Sequence, residues 1–301
     1  MNILSGVVAI VVTYHPTRST LSKLVNALKI QVEQVVIIDN GSNEAISEWF
    51  DDHSSKLHLI ELDNNLGIAS AQNIGIKWAN DHGAEYIVLF DQDSDLDKEM
   101  IPVLHRAIKA LQDDGKKVAC VGPSYIDLRQ NNPTPFIRIE GLRLVRESCR
   151  SLDDVVPVDH LIASGCLIPL STLDEVGLME ESLFIDYVDL EWCERAKFKG
   201  YQSFGVCAAQ MEHALGDDPI EFMGRGRPAR SPLRHYYMCR NAMWIYQQSW
   251  PRWNWKLVDG MRLVRKFIFY SIFARPRQQH IKMMCLGLWH GAIGKMGKYS
   301  P

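Results

Sequence analysis

Apolar and polar positions fall in alternating blocks over the first 125 residues. Val7–Thr13 is an unbroken apolar, β-branched run stopped by His15-Pro16. Ser19–Ile30 then has helical spacing, with Leu21, Leu24, Val25 and Leu28 on one face. Gln34–Asp39, Leu57–Leu62, Tyr86–Phe90 and Val118–Val121 are further short apolar runs, separated by helical patterns at Ile68–Asn80 and Lys98–Leu111. Continuous apolar strands between helices predict an α/β fold with a parallel sheet covered on both faces. Polar clusters follow strands one, two and four, and ligands of such sheets bind beyond the carboxyl ends of the strands. Asp, Asn and Gly also serve plain turns, but three such clusters on one sheet edge point to a shared site.

The second half is less regular. Residues 130–160 offer a hairpin (Phe136–Ile139 with Leu142–Val145), and an apolar stretch, Leu161–Leu170, surrounds Ser164-Gly165-Cys166. Asp189–Lys199 reads as a helix and Tyr201–Gln210 as one or two short strands. From about Leu233 the pattern is helical and rich in Trp, Arg and Lys. This divides the chain into a catalytic-type domain over 1–248 and a basic, aromatic tail over 249–301.

Composition adds three points. The chain has 301 residues, 47% of them hydrophobic, which excludes a disordered or low-complexity protein. The net charge of -3 conceals two unlike parts. Residues 1–221 hold 18 Lys+Arg and 35 Asp+Glu, whereas residues 222–301 hold 15 basic residues and the single acid Asp259. An acidic body suits a divalent metal, and a basic end suits phosphates or an anionic surface. Seven scattered cysteines without a CxxC pair argue for a reducing compartment and against zinc or a disulfide framework. Neither a basic, apolar leader nor a long apolar span is evident, so a cytoplasmic location is expected.

Four local features carry chemistry. Asp91-Gln92-Asp93 directly follows a buried strand, and paired carboxylates there suit Mg²⁺ or Mn²⁺; a polar turn with a helix cap is the plain alternative. In Phe184-Ile185-Asp186-Tyr187-Val188-Asp189-Leu190-Glu191-Trp192, Asp186 and Asp189 would share a helix face while Glu191 pairs with Arg195. Acids also favour a first helical turn for its dipole alone, yet apolar flanks can tune a carboxylate as a general base. His213 could ligate a metal or be structural. The run Arg225, Arg227, Arg230, Arg234 and Arg240, with His235, contains no acid, and Arg matches phosphate in a bidentate fork. Its opening, Gly224-Arg225-Gly226-Arg227-Pro228, reads as a mobile substrate-gating loop.

Taken together, these residues resemble the family-2 inverting glycosyltransferases of GT-A fold. The resemblance runs through Val11-Val12-Thr13-Tyr14-His15-Pro16, Ile37-Ile38-Asp39-Asn40-Gly41-Ser42, Asn64-Asn65-Leu66-Gly67, Ala71-Gln72-Asn73-Ile74-Gly75, Asp91-Gln92-Asp93, Ser164-Gly165-Cys166, Phe184 to Arg195, and His213. Within the family, Phe184–Trp192, His213-Ala214-Leu215-Gly216 and His235-Tyr236-Tyr237 with Arg240-Asn241 look most like bacterial rhamnosyltransferases that use dTDP-L-rhamnose.

The resemblance implies a GT-A sheet flanked by helices, a nucleotide-sugar donor, and Mg²⁺ or Mn²⁺. It implies Thr13 and Tyr14 at the base pocket, Asp39 on the base or its sugar, and Asn73 shaping the nucleotide site. Asp93 and His213 would hold the metal, with Asp91 near the ribose or metal waters. Asp189 matches the second position of the family's Glu-Asp base motif; Val188 replaces the Glu, which leaves Asp186 as a backup base. Arg240, helped by Arg234 and His235, would meet the diphosphate. Such enzymes extend lipid-linked glycans for cell-surface, O-antigen-like polysaccharides at the inner face of the bacterial membrane, so the tail (Trp250, Trp253, Trp255, Trp289 among ten Lys+Arg) is expected to contact an anionic membrane or pack as helices on the catalytic domain. Nucleic acid is not expected, because no binding motif accompanies the charge. Two remoter readings are a haloacid-dehalogenase-like phosphohydrolase, whose Asp-x-Asp belongs on a first strand, and a non-catalytic membrane-surface protein. A dinucleotide oxidoreductase lacks its Gly-x-Gly-x-x-Gly here.

Overall fold

A computed structural model describes residues 3–50, 55–127, 132–213, 219–222, 225–228 and 230–301. The elements in order are β1 (Leu4–Thr13), α1 (Arg18–Lys29), β2 (Val32–Asp39), β3 (Leu57–Glu61), α2 (Ile68–Asp81), β4 (Tyr86–Asp91), β5 (Ser94–Leu96), α3 (Met100–Asp113), β6 (Val118–Asp127), β7 (Asn132–Pro133), β8 (Phe136–Glu140), β9 (Arg143–Glu147), β10 (Val155–Val158), β11 (Leu167–Pro169), α4 (Leu170–Val176), α5 (Val188–Phe198), β12 (Gln202–His213), β13 (Pro219–Phe222), β14 (Arg225–Pro228), α6 (Pro232–Gln247), α7 (Trp253–Phe273) and α8 (Arg277–Ala292).

The main sheet has the order β10-β12-β6-β11-β4-β1-β2-β3, with β5 on β12 and β7 on β6. β3, β2, β1 and β4 are parallel, as the apolar runs predict. The sheet is not parallel throughout. β11 lies antiparallel between β4 and β6, and β10 and β5 run antiparallel to β12. The reason is local: β11 has three residues, and the Ser164-Gly165 turn feeds it backwards along β4, with Gly165 N–H donating to Leu89 O at 2.7 Å. Apolar side chains on the two sheet faces form separate cores, one under α2, α4 and α5 and the other under α1 and α3. Burial of these continuous runs is the main favourable term.

Gly75 shows why small residues recur in α2. A Cβ there would stand 2.4 Å from Ile10 Cγ2, so the helix can sit on β1 only without one.

Two expectations change. Cys149 and Cys207 form a disulfide, Cα–Cα 5.8 Å apart, although 58 positions separate them. Pairing of Val155 with Val206, and a turn in which the Arg150 and Ser151 N–H groups donate to the Asp154 carboxylate, fold Cys149 back onto β12. Residues 225–228, expected as a mobile loop, form β14 in a hairpin with β13.

The basic end packs as helices. α6, α7 and α8 share a third core built on Trp255, Met238, Ile245 and Met284. Arg252, just before α7, reaches the buried carboxylates of Asp159 (3.0 Å) and Glu194 (2.7 Å). Among the described residues no helix is long and apolar enough to cross a membrane.

Candidate active site

The parallel registers Thr13↔Asp39 and Val12↔Asp91 bring three polar strand ends to one edge. Asp39 is buried there. Its Oδ1 accepts from Thr13 Oγ1 (2.8 Å) and Ser42 Oγ (2.6 Å), and its Oδ2 from Ser42 N–H (2.8 Å). Tyr14 stays exposed, while its backbone is held in a reciprocal pair by Gln92: Tyr14 N–H donates to Oε1 at 2.8 Å and Nε2 donates to Tyr14 O at 3.3 Å. The turn after β1 is thus tied to the turn after β4.

Ser164 fixes that second turn at both ends. Its hydroxyl accepts Asp91 N–H at 3.3 Å and lies 2.5 Å from Ser94 Oγ. Asp91 is half-buried and Asp93 exposed. β12 ends beside them, with His213 in register with Ser94. The His213 side chain, and Ala214 to Asp217, lie outside the described residues. Asp93, Asp95, Glu212 and Lys23 line an open depression of about 320 Å³. Among the described residues no three His, Cys, Asp or Glu side chains converge as a metal site. Asp93 stands in the turn between β4 and β5, with the His213 backbone paired alongside Ser94.

The second acidic cluster is reached through an unusual turn. Phe184, Asp186 and Tyr187 all have left-handed backbone (φ 63°, 64° and 67°), each costing a non-glycine residue on the order of 1–3 kcal/mol. The surroundings hold them there. Asn241 Nδ2 lies 2.7–3.0 Å from the carbonyl oxygens of Leu183, Ile185 and Asp186. Arg240 donates to the carbonyls of Ser182 (3.2 Å) and Leu183 (2.8 Å), and to that of Gly297. The Tyr187 hydroxyl donates to Asp259 on α7 at 2.7 Å. On the other side, Ile68 N–H donates to Phe184 O (2.7 Å), and a Cβ on Gly67 would stand 2.6 Å from Phe184.

This turn delivers Asp189 to the first turn of α5. Leu190 N–H donates to its Oδ1 at 2.9 Å. Burial, with the nearby carboxylates of Asp186 and Asp91 adding to it, pushes its pKa up to about 6 against that hydrogen bond. Asp189 also borders a cavity of about 20 Å³ with Gln72, Met179 and Trp192. Glu191 points away and pairs with Arg195 at 2.7 Å, as its spacing predicts.

Four residues sit differently from their expected roles. Asp186 Oδ1 accepts from both Arg230 and Arg234 at 2.9 Å, so this oxygen is occupied by two guanidinium groups rather than open to an acceptor hydroxyl. Arg240 is fully buried with its donors spent on carbonyls, between Tyr236 and Tyr237, and does not face a diphosphate. His235 is fully buried against Tyr270, its Nδ1 2.8 Å from His280 Nδ1, and burial pulls its pKa down to about 4. Asn73, also buried, donates to Met179 O and Glu181 Oε1 (2.9 Å each) and accepts Met179 N–H (2.9 Å), so it braces the approach to the Phe184 turn rather than a nucleotide. Ser42, Gln92 and Ser164 also shape the site without a signal of their own in the sequence, because polar turn residues look alike until their partners are known, and Asn241 is one more polar position within α6 until the Leu183–Asp186 carbonyls stand opposite it.

A mixed α/β sheet whose carboxyl edge gathers Asp39, Asp91-Gln92-Asp93 and a helix-borne Asp189 is the architecture of a GT-A glycosyltransferase. The family profile of glycosyl transferase family 2 matches residues 8–166. The chain belongs to that family and is a glycosyltransferase. It is 36% identical over 247 residues to dTDP-rhamnosyl transferase RfbF of Shigella flexneri, covering 81% of both chains. It is 22% identical to the low-salt glycan biosynthesis hexosyltransferase Agl10 of Haloferax volcanii, over 89% of this chain and 85% of that protein. Its fold is similar to S. aureus TarS residues 1–349 in complex with UDP-GlcNAc (TM-score 0.58, 16% identity, 95% of this chain and 81% of that one). It is similar also to GalNAc-T7 with UDP, GalNAc and Mn²⁺ (TM-score 0.58, 13% identity, 88% and 57%).

Proposed function

We propose that the enzyme transfers L-rhamnose from dTDP-L-rhamnose to a lipid-linked glycan, with inversion, at the inner face of a bacterial membrane during cell-surface polysaccharide synthesis. The observation that carries the catalytic part is Asp189. It stands at the start of α5 in electrostatic reach of the Asp91 turn, with its pKa pushed to about 6. Near neutral pH such a carboxylate is ionised yet more basic than an exposed one, as a general base should be. It takes the proton from an acceptor hydroxyl while that oxygen attacks the anomeric carbon and the nucleoside diphosphate departs from the opposite side. One displacement inverts the centre, and no covalent nucleophile is needed. The donor assignment is supported by the likeness to the Shigella protein.

Thr13, Tyr14 and Asp39 are assigned to the nucleoside end, Asp39 being pre-oriented by Thr13 and Ser42. Asp93 and His213 would hold Mg²⁺ or Mn²⁺, which when bound neutralises charge on the departing diphosphate. Arg230 and Arg234, docked on Asp186, replace Arg240 as the cations assigned to the diphosphate side.

The test is thermal stabilisation by nucleotide sugars with and without Mn²⁺. Stabilisation by dTDP-rhamnose beyond that by UDP-sugars or simple phosphomonoesters is expected, and Asp93→Ala should abolish its metal-dependent part. Equal response to all donors would remove the rhamnose assignment, and an unchanged Mn²⁺ titration in Asp93→Ala would remove the metal role.

A further inference from the structure

The α7 helix has a second, unpartnered face. Trp253, Leu257, Met261, Val264, Ile268 and Ile272 recur at spacings of four and three, and all are exposed, Trp253 by 69%. At 100° per residue they fill one stripe about 100° wide, where only Asn254 and Ser271 intervene. Soluble surfaces scatter single apolar residues, whereas a continuous stripe marks something that covers it.

The charges around the stripe identify the cover. Arg265 lies along its edge, Arg275 follows on the connection to α8, and Arg277 and Lys282 lie in the first two turns of α8, all exposed. The one acid of residues 222–301, Asp259, is buried on the opposite side of α7, accepting hydrogen bonds from Tyr187 and Tyr246 at 2.7 Å each. The exposed residues of α7 and of the connection to α8 therefore carry positive charge with no acid among them. A second copy laid against it would bring like charges together, while an anionic surface neutralises them.

We infer that α7 lies in the plane of an anionic phospholipid bilayer, with the Trp253–Ile272 stripe among the acyl chains and the flanking arginines at the headgroups. Because the stripe and Asp259 are on opposite sides of one helix, about 10 Å thick, the Tyr187–Asp189 turn sits just above the bilayer. The inference deepens the reading of a lipid-linked acceptor, whose reacting hydroxyl would be presented close to the headgroups. The surface itself rests only on exposure and charge.

The experiment uses the whole chain with vesicles of phosphatidylcholine alone and of phosphatidylcholine with phosphatidylglycerol. Co-sedimentation is expected with the anionic vesicles, falling as salt rises. The double variant Val264→Glu, Ile268→Glu changes only exposed positions. It should lose vesicle binding about tenfold or more, while keeping wild-type thermal unfolding and nucleotide-sugar stabilisation. A double variant that sediments like the wild type would overturn the inference. So would a wild-type dimer in solution that these substitutions dissociate with no vesicle binding at any salt. Vesicle binding by a protein that answers to no nucleotide sugar would leave the surface standing and remove the proposed reaction instead.

Discussion

At the residue scale, one carboxylate differs from its neighbours in environment. Asp189 is raised to about 6 chiefly by burial, so transfer should rise with pH on an acid limb near that value. Asp189→Asn should reduce turnover by about 10²–10⁴-fold and leave donor stabilisation intact, as a pH–rate profile beside a nucleotide-sugar melt would measure. The same shift works against folding: the stabilisation from protonated Asp189 is full below the usual carboxylate pKa and is lost as pH rises through about 6. The place of Asp39 and of Asp91-Gln92-Asp93 at the carboxyl edge of the sheet was legible because each closes an apolar run with a polar turn. Arg240 and His235 were not. A helical Arg or His looks the same whether it faces a ligand or is buried against carbonyls and aromatic rings, and only the packing of α6 against α8 and the Leu183 turn decides.

At the element scale, α2 and α6 act as jaws on the Phe184–Tyr187 turn. Gly67 starts α2 with φ 91°, and a Cβ there meets Phe184 at 2.6 Å. Gly67→Ala should therefore destabilise the protein by about 2 kcal/mol or more, from backbone strain plus the clash, read by denaturant unfolding. Activity should fall further than stability, since the displaced turn leads to Asp189. The parallel half of the sheet was readable because strands buried on both faces leave continuous apolar runs. The reversed β11 was not, because three residues carry no direction in their sequence. The Cys149–Cys207 bridge was equally hidden, since strand pairing rather than spacing brings the two thiols together.

For the whole molecule, buried contacts tie residues beyond 248, the expected basic, aromatic tail, to the residues before it. Arg252 bridges the buried carboxylates of Asp159 and Glu194, and α7 supplies Asp259 to Tyr187. Arg252→Met should cost about 3–5 kcal/mol by leaving Glu194 buried without its cation, and pairing it with Glu194→Gln should restore part of the loss, in urea titrations of the full chain. Grafts between related enzymes face a matching restriction. A donor chimera that exchanges residues 183–189 alone would place a left-handed turn into a recipient whose helix does not match it. The turn has at least to travel with residues 230–241, although more than forty positions separate them in the chain.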